Sequence, residues 1–315
     1  MIERWHPADD AAELHKIYTA AQLADNPTDF PFSPTLFRAW LARGWMDEPR
    51  EVWSAPGTGW YRLLLPDREN SGRCLLDLCV APAERRHGAG TELLRHAMGR
   101  AAANGRSLLR GYAWEGSPGE AFALARGGRL DHTEIRRVQD VASAPRGAPI
   151  ADGYSIVTWT GSAPEDLIGQ LAALRSAMED APHAEGHENT VWDVARVRDG
   201  EDLKETFGTR EYSAAVRHDA TASLVALTQV AVDPMYPDWG FQEITVVLRA
   251  HRGHGLGLAV KSAMLDLLDA AEPGLRRIVT FNGETNKHMI AVNEALGYRI
   301  DGPAENWYRM SVVEA

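Results

Sequence analysis

The 315-residue chain has only two cysteines, Cys74 and Cys79, and both fall in one apolar run, GRCLLDLCVAP. That excludes a disulfide framework or a zinc site, and the pair reads as core thiols of a reduced compartment. Long hydrophobic runs are missing as well. No stretch approaches roughly 20 uninterrupted apolar residues, and the N-terminal MIERWHPADDAAELHKIY has no apolar h-region. Neither a membrane span nor a signal peptide is expected, and the cytoplasm is the expected location. Positive charge is in deficit: 33 Lys and Arg stand against 44 Asp and Glu, for a formal net charge of −11. A nucleic-acid partner would want a basic face, so none is expected. The acidity suits a cationic small molecule and suits plain solubility equally.

Apolar residues make up 44% of the chain, ample for a core, and the length suggests two domains of ordinary size. The segment RGAPIADG, from Arg146 to Gly153, lacks an apolar period and reads as a linker between residues 1–147 and 151–315. The same order of elements appears on either side. In the first half, GRCLLDLCVAP reads as a strand and GTELLRHAMGRAAANG as a helix with Leu93, Leu94, Ala97, Met98 and Ala101 on one stripe. SLLRGYAW follows as a second strand. In the second half, FQEITVVL is the strand and LGLAVKSAMLDLLDAA the helix, its face drawn from Leu256, Val260, Ala263 and Leu267. RRIVTF, the helix NKHMIAVNEAL and YRI complete that half. The expected fold class is α/β, as an internal duplication.

Each strand-to-helix junction carries the same short pattern. RRHGAG places Arg85, Gly88 and Gly90 where HRGHGLG places Arg252, Gly255 and Gly257. Glycines at such a junction remove the Cβ atoms that would hold a ligand off the backbone. The N–H groups of the turn, backed by a helix N-terminus, favour an anion, and the arginine adds donors at its mouth. The implied ligand is a phosphate or pyrophosphate. A P-loop would need a Lys-Ser/Thr pair, and a Rossmann fingerprint would need G-x-G-x-x-G with a later acidic residue; neither spacing is present. A tight turn whose glycines merely let helix and sheet pack is the alternative for either copy alone.

The pattern Arg-x-x-Gly-x-Gly between strand and helix resembles the acetyl-CoA pyrophosphate motif of the GCN5-related N-acetyltransferase (GNAT) family. The later NGETNKHMIAVNEALGY resembles the family's next segment, where Asn begins a helix and Leu-Gly-aromatic ends it. The resemblance covers both halves and implies two tandem GNAT domains, each a mixed central sheet flanked by helices, in an arrangement shared with mycothiol synthase and many actinobacterial enzymes. It implies acetyl-CoA as cosubstrate, held in the second half by Val247, Arg252, Gly253, His254, Gly255, Leu256 and Gly257 and in the first by Val80, Arg85, Gly88 and Gly90. Val247 and Val80 are the positions whose backbone would pair with the pantetheine arm.

For the chemistry, acetyl transfer to an amine requires the ammonium to lose a proton. Glu243 lies four before Val247, and even spacing puts both on one face of the strand, with Thr245 between them. Glu243 reads as the base, or else as a solvated strand start. Where the family often has a tyrosine acid, this chain has Asn293. Asn286 and Asn293 are two helical turns apart and share a face. Both could face the cofactor, or Asn286 could be an N-cap and Asn293 a core hydrogen-bonding group. Protonation of the departing thiolate would then fall to Tyr298 or Tyr308, or go unassisted. The first half lacks the two asparagines, and Asp77 falls on the opposite strand face from Val80 by parity. The second half is therefore expected to hold the chemistry, with the first a retained scaffold.

The acceptor would be met by variable loops. LADNPTDFPFSPTLF is the candidate in the first half, and in the second MEDAPHAEGHEN, where Glu179, Asp180, Glu185 and Glu188 would suit a cationic amine. His183 and His187 have helical spacing, but Pro182 and Gly186 break a helix there, so no metal is expected. Two function classes stay open: an N-acetyltransferase for a small-molecule primary amine, and a non-catalytic acyl-CoA-binding or regulatory protein. Monomer and homodimer are equally compatible with the sequence.

Overall fold

The computed structural model describes residues 1–43, 48–180 and 188–312. In chain order the strands and α-helices are β1 (Glu3–Trp5), α1 (Ala12–Asp25), α2 (Pro34–Arg43), β2 (Arg50–Ala55), β3 (Gly59–Leu64), β4 (Arg73–Val80), α3 (Ala89–Ala103), β5 (Leu108–Trp114), α4 (Pro118–Ala125) and β6 (Arg129–Asp140). They continue as β7 (Tyr154–Thr160), α5 (Ile168–Ser176), α6 (Val194–Phe207), β8 (Arg210–His218), β9 (Ser223–Val232), β10 (Trp239–Val247), α7 (Leu256–Ala271), β11 (Arg277–Gly283), α8 (Lys287–Ala295), β12 (Arg299–Ile300) and β13 (Glu305–Ser311). The class is mixed α/β. The chain forms two compact units, the first from residues 1–135, 184–188 and 302–315, the second from 136–183 and 189–301. The division thus falls before Arg136, ahead of the Pro/Gly-rich segment 146–153, which lies inside the second unit. The last strand returns to the first.

In the first unit, β1 to β4 run antiparallel to their neighbours and β4 pairs parallel with β5. β13 then pairs antiparallel with β5 along its whole length and with β6 from Arg129 to Glu134. The C-terminal strand therefore completes the sheet of the N-terminal unit. Strand parity separates two cores. Trp60 packs under α1 and α2 with Leu14, Tyr18, Phe37 and Trp40. Tyr61 and Leu63 pack under α3 with Leu93, Leu94, Ala97 and Ala101, the helical stripe expected from the sequence.

In the second unit β7, β8, β9 and β10 are successively antiparallel, and β10 pairs parallel with β11. α7 covers one face with Leu256, Val260, Met264 and Leu268 buried. Its buried stripe lies one step round from the one read in the sequence: Ala263 and Leu267 sit at the edge, and the buried face includes Lys261 and Ser262 instead. α5 covers the other face, with Leu171, Leu174 and Val246.

Candidate functional site

Both glycine-rich turns adopt the conformation that only glycine takes without strain. Gly88 caps α3 at φ 93° and Gly255 caps α7 at φ 72°, and a Cβ on either would meet nothing within 4 Å. No side chain caps either helix, so the first-turn N–H groups face outward, as an anion site requires. The arginines do something the sequence did not disclose. Arg85 Nε donates to Val80 O at 3.3 Å, and Arg252 Nε donates to Val247 O at 3.0 Å. Each arginine straps its turn to the end of the preceding strand. The terminal nitrogens of Arg85 are also bound to the Asp25 carboxylate at 2.6 and 2.9 Å.

Beyond the first turn, β4 and β5 come apart. Their ladder covers only Arg73–Leu75 against Leu108–Arg110. Gly111 sits where it ends; a Cβ there would lie 2.8 Å from Leu76 O. Past that point the strands line a cavity of about 600 Å³ that reaches from Arg85, Gly88 and Gly90 to Tyr112 and Trp114, with α1 contributing Tyr18, Gln22 and Asp25. The unpaired β4 edge from Leu76 to Val80 is thereby offered to a ligand. Asp77 also lines this cavity, ion-paired with Arg62 at 2.8 Å.

Two further groups of this unit come from β13. Tyr308 lines the cavity, so the tyrosine read as a candidate acid for the second half belongs to the first unit. Its hydroxyl donates to Glu120 Oε1 at 2.7 Å, and Asn306 Nδ2 donates to the same oxygen at 2.8 Å. Burial, and then that hydrogen bond and the charge of Glu120, push the phenol up to about 12, which ill suits a proton donor at neutral pH. Glu305, opposite Trp114 in the ladder, was not singled out in the sequence. Burial pushes its carboxyl up to about 8, and the carboxylates of Glu134, Asp29 and Asp77 add to the effect. The signal that could have found it is a lone glutamate opening the aromatic strand ENWYRM.

In the second unit the other candidates have partners inside the fold. Glu243 is the extra residue of a β-bulge, since Gln242 pairs with Val230 and Ile244 with Gln229. The bulge breaks the even spacing to Val247. Val247 packs on the α7 side, whereas Glu243 ion-pairs with Lys204 of α6, which also binds Glu211. Burial alone would lower the Lys204 pKa, but the two carboxylates outweigh it and the pKa is raised. Glu243→Gln is accordingly expected to lower thermal stability while turnover stays within a few-fold; a ~10²-fold loss of rate at unchanged stability would restore Glu243 as the base.

Asn286 accepts from Met289 N–H at 3.2 Å and is the N-cap of α8. Ser117 does the same for α4 in the first unit, accepting from Glu120 N–H, a counterpart the sequence comparison passed over. Asn293 is fully buried. Its Oδ1 accepts from Lys261 Nζ at 2.7 Å, and its Nδ2 donates to Asn282 Oδ1 at 2.7 Å. Tyr298 is buried with the Lys261 ammonium 4.5 Å from its ring centre. His254 and Leu256 flank Gly255, the first exposed and the second buried. In the acidic segment, His183, Glu185 and His187 lie outside the described residues. Glu188 binds Asn70 of the same unit, taking its backbone N–H. Among the described residues no group of three or more His, Cys, Asp or Glu is placed to hold a metal, and no helix is long and apolar enough to cross a membrane.

Comparison with known proteins bears on this arrangement. Residues 12–112 match the acetyltransferase (GNAT) family model, a span that contains the first turn, β4 and most of β5. A tandem GNAT protein from the clavulanic acid biosynthesis pathway superposes with a TM-score of 0.84 at 26% identity, over 100% of this chain and 99% of that one. The protein has the tandem GNAT fold. A GCN5-related N-acetyltransferase from Sphaerobacter thermophilus shares it with a TM-score of 0.72 at 15% identity, over 99% and 95% of the two chains. No curated protein sequence matches. Acyl transfer from acetyl-CoA is the general activity of the family whose model matches residues 12–112.

Proposed function

We propose that this tandem GNAT is an acetyl-CoA-dependent N-acetyltransferase for a small-molecule primary amine, and that transfer takes place in the first unit. The observation that carries the proposal is the cavity between β4 and β5, which runs without interruption from the first glycine turn to Glu305's neighbour Trp114. Acetyl-CoA supplies the acetyl group as a thioester. Gly88 and the α3 N-terminus would take its pyrophosphate, and the open β4 edge would pair with the arm behind it. The acceptor must present a neutral amine, so a base of matched proton affinity is needed. Glu305 has that affinity, on the strand that borders the cavity wall. Each group that spoke for the second half has another occupation: Lys204 holds Glu243, Lys261 and Asn282 hold Asn293, and Tyr308 is in the first unit.

The test is a pH–rate profile. With Glu305 as base, kcat/KM rises with pH and levels off above about 8. Glu305→Gln is expected to lower kcat by ~10²-fold and erase that limb while leaving acetyl-CoA affinity nearly intact. A Glu305→Gln profile that keeps the limb removes Glu305 from the reaction. Acetyl-CoA binding with no turnover across a panel of amines would instead favour an acyl-CoA-binding protein.

A further inference from the structure

Beside the second glycine turn, three imidazoles surround one phenol. The ring centres of His218, His251 and His254 lie 5.3, 5.8 and 5.7 Å from that of Tyr154, and His218 and His251 are 5.2 Å apart. Each ring uses its Nδ1 within the fold. His251 Nδ1 meets Tyr154 Oη at 3.0 Å, His218 Nδ1 meets Thr221 Oγ1 at 2.9 Å, and His254 Nδ1 meets His251 O at 3.3 Å. The three Nε2 atoms have no hydrogen-bond partner among the described residues. His254 is exposed and the other two rings are half-buried, so a ligand from solvent can reach them.

Among the described residues no ion pair joins a carboxylate to any of the three rings. Burial lowers the His251 pKa, and His218 and His254 lower it further. Arg252 shares the turn, with its Nε on Val247 O. The nearby carboxylate at the end of β8, Asp219, accepts from Ser155 Oγ at 2.8 Å. The three histidines are not placed to hold a metal ion. An anion fits them, because protonation converts each open Nε2 into an N–H donor. The uncapped N-terminus of the 16-residue α7 begins directly after His254 and Gly255 and adds to the same field. The first turn has no such cluster: Glu84 stands in the place of His251, with only His87 matching His254.

We propose that this cluster is a phosphate-monoester subsite of the second unit, which takes up a proton as the phosphate binds. The inference rests on the reading that the second turn, like the first, holds coenzyme A, whose terminal 3′-phosphate is the monoester within reach of a pyrophosphate site; free phosphate shares the chemistry. An anion lifts the imidazole pKa values, so binding tightens as pH falls through their range.

The experiment is an NMR titration of the histidine ring protons in the full chain, with calorimetry of the Gly88→Asp variant so that heats report the second turn. CoA is expected to move the His218, His251 and His254 resonances and to bind roughly tenfold tighter at pH 6 than at pH 8, the equivalent of one pKa unit. Buffers of different ionisation heat should register the proton uptake. 3′-Dephospho-CoA should lose this pH dependence, and so should CoA with His254→Gln, whose exposed ring makes unfolding a minor risk. Inorganic phosphate moving the same resonances at equal concentration would assign the subsite to free phosphate; action by CoA at far lower concentration assigns it to the cofactor. Ring protons unmoved by either compound, or equal affinity for CoA and its dephospho form at both pH values, overturns the subsite. Loss of acetyl transfer plays no part in this readout, so it stands or falls separately from the proposed reaction.

Discussion

Gly88→Asp is expected to abolish acetyl transfer, with a loss greater than ~10²-fold in kcat/KM. Two effects combine at this position. The φ of 93° is a conformation that an L side chain rarely adopts, which costs on the order of 1 kcal/mol. The larger effect is electrostatic: a carboxylate would stand in the open space before the α3 N-terminus, where the pyrophosphate is proposed to lie, and would repel it. Gly255→Asp makes the matching change at the second turn, and it is expected to remove one bound CoA while slowing transfer far less. Calorimetric stoichiometry and steady-state rates of both variants, with circular dichroism to confirm folding, separate the two units. If Gly255→Asp abolishes transfer and Gly88→Asp spares it, the reaction belongs to the second unit. If both abolish it in folded protein, the units act together.

The duplication and the two turns were legible because they are local. A strand followed by a glycine-rich turn and a long helix leaves its mark in consecutive residues, and both turns form, with Gly88 and Gly255 in the left-handed region. What escaped the sequence depends on residues far apart in the chain. The return of β13 to the sheet of the first unit moves Tyr308 and Glu305 beside β5, some 190 positions away; no periodicity reports that. The bulge at Glu243 defeats an argument from parity, since one inserted residue turns the side chain from the α7 face to Lys204. The arginines illustrate a subtler limit. Their type and spacing match an anion site, yet the Nε of Arg85 and of Arg252 each donates to a strand carbonyl. Burial of a cation was also invisible: Lys261 lies within an otherwise apolar helical pattern and reads there as a surface residue, although it is 3% exposed.

That lysine is the source of a large effect on stability. Lys261 has no carboxylate within the contacts it makes; it donates to Asn293 and sits over the ring of Tyr298. Burial lowers its pKa from 10.5 to about 7. Below pH 7 the lysine is charged in both the folded and the unfolded chain, and the folded state bears the full cost of a buried ammonium, on the order of 5 kcal/mol. As pH rises from 7 toward 10.5, the folded lysine is neutral while the unfolded one still binds its proton. The unfolded state then holds more protons, so the contribution of this group to stability rises with pH across that window. Glu305 acts in the opposite sense, because its raised pKa favours the folded state most at low pH and that advantage is lost as pH climbs toward 8. A comparison with Lys261→Met cancels the Glu305 contribution. Urea unfolding of the two proteins from pH 6.5 to 9 should show the wild type gaining about 2 kcal/mol on the variant between pH 7 and 9. The variant also leaves Asn293 Oδ1 without its donor, a penalty that does not depend on pH and so shifts the curve without tilting it. Parallel curves for wild type and variant would mean that Lys261 keeps an ordinary proton affinity inside the second unit.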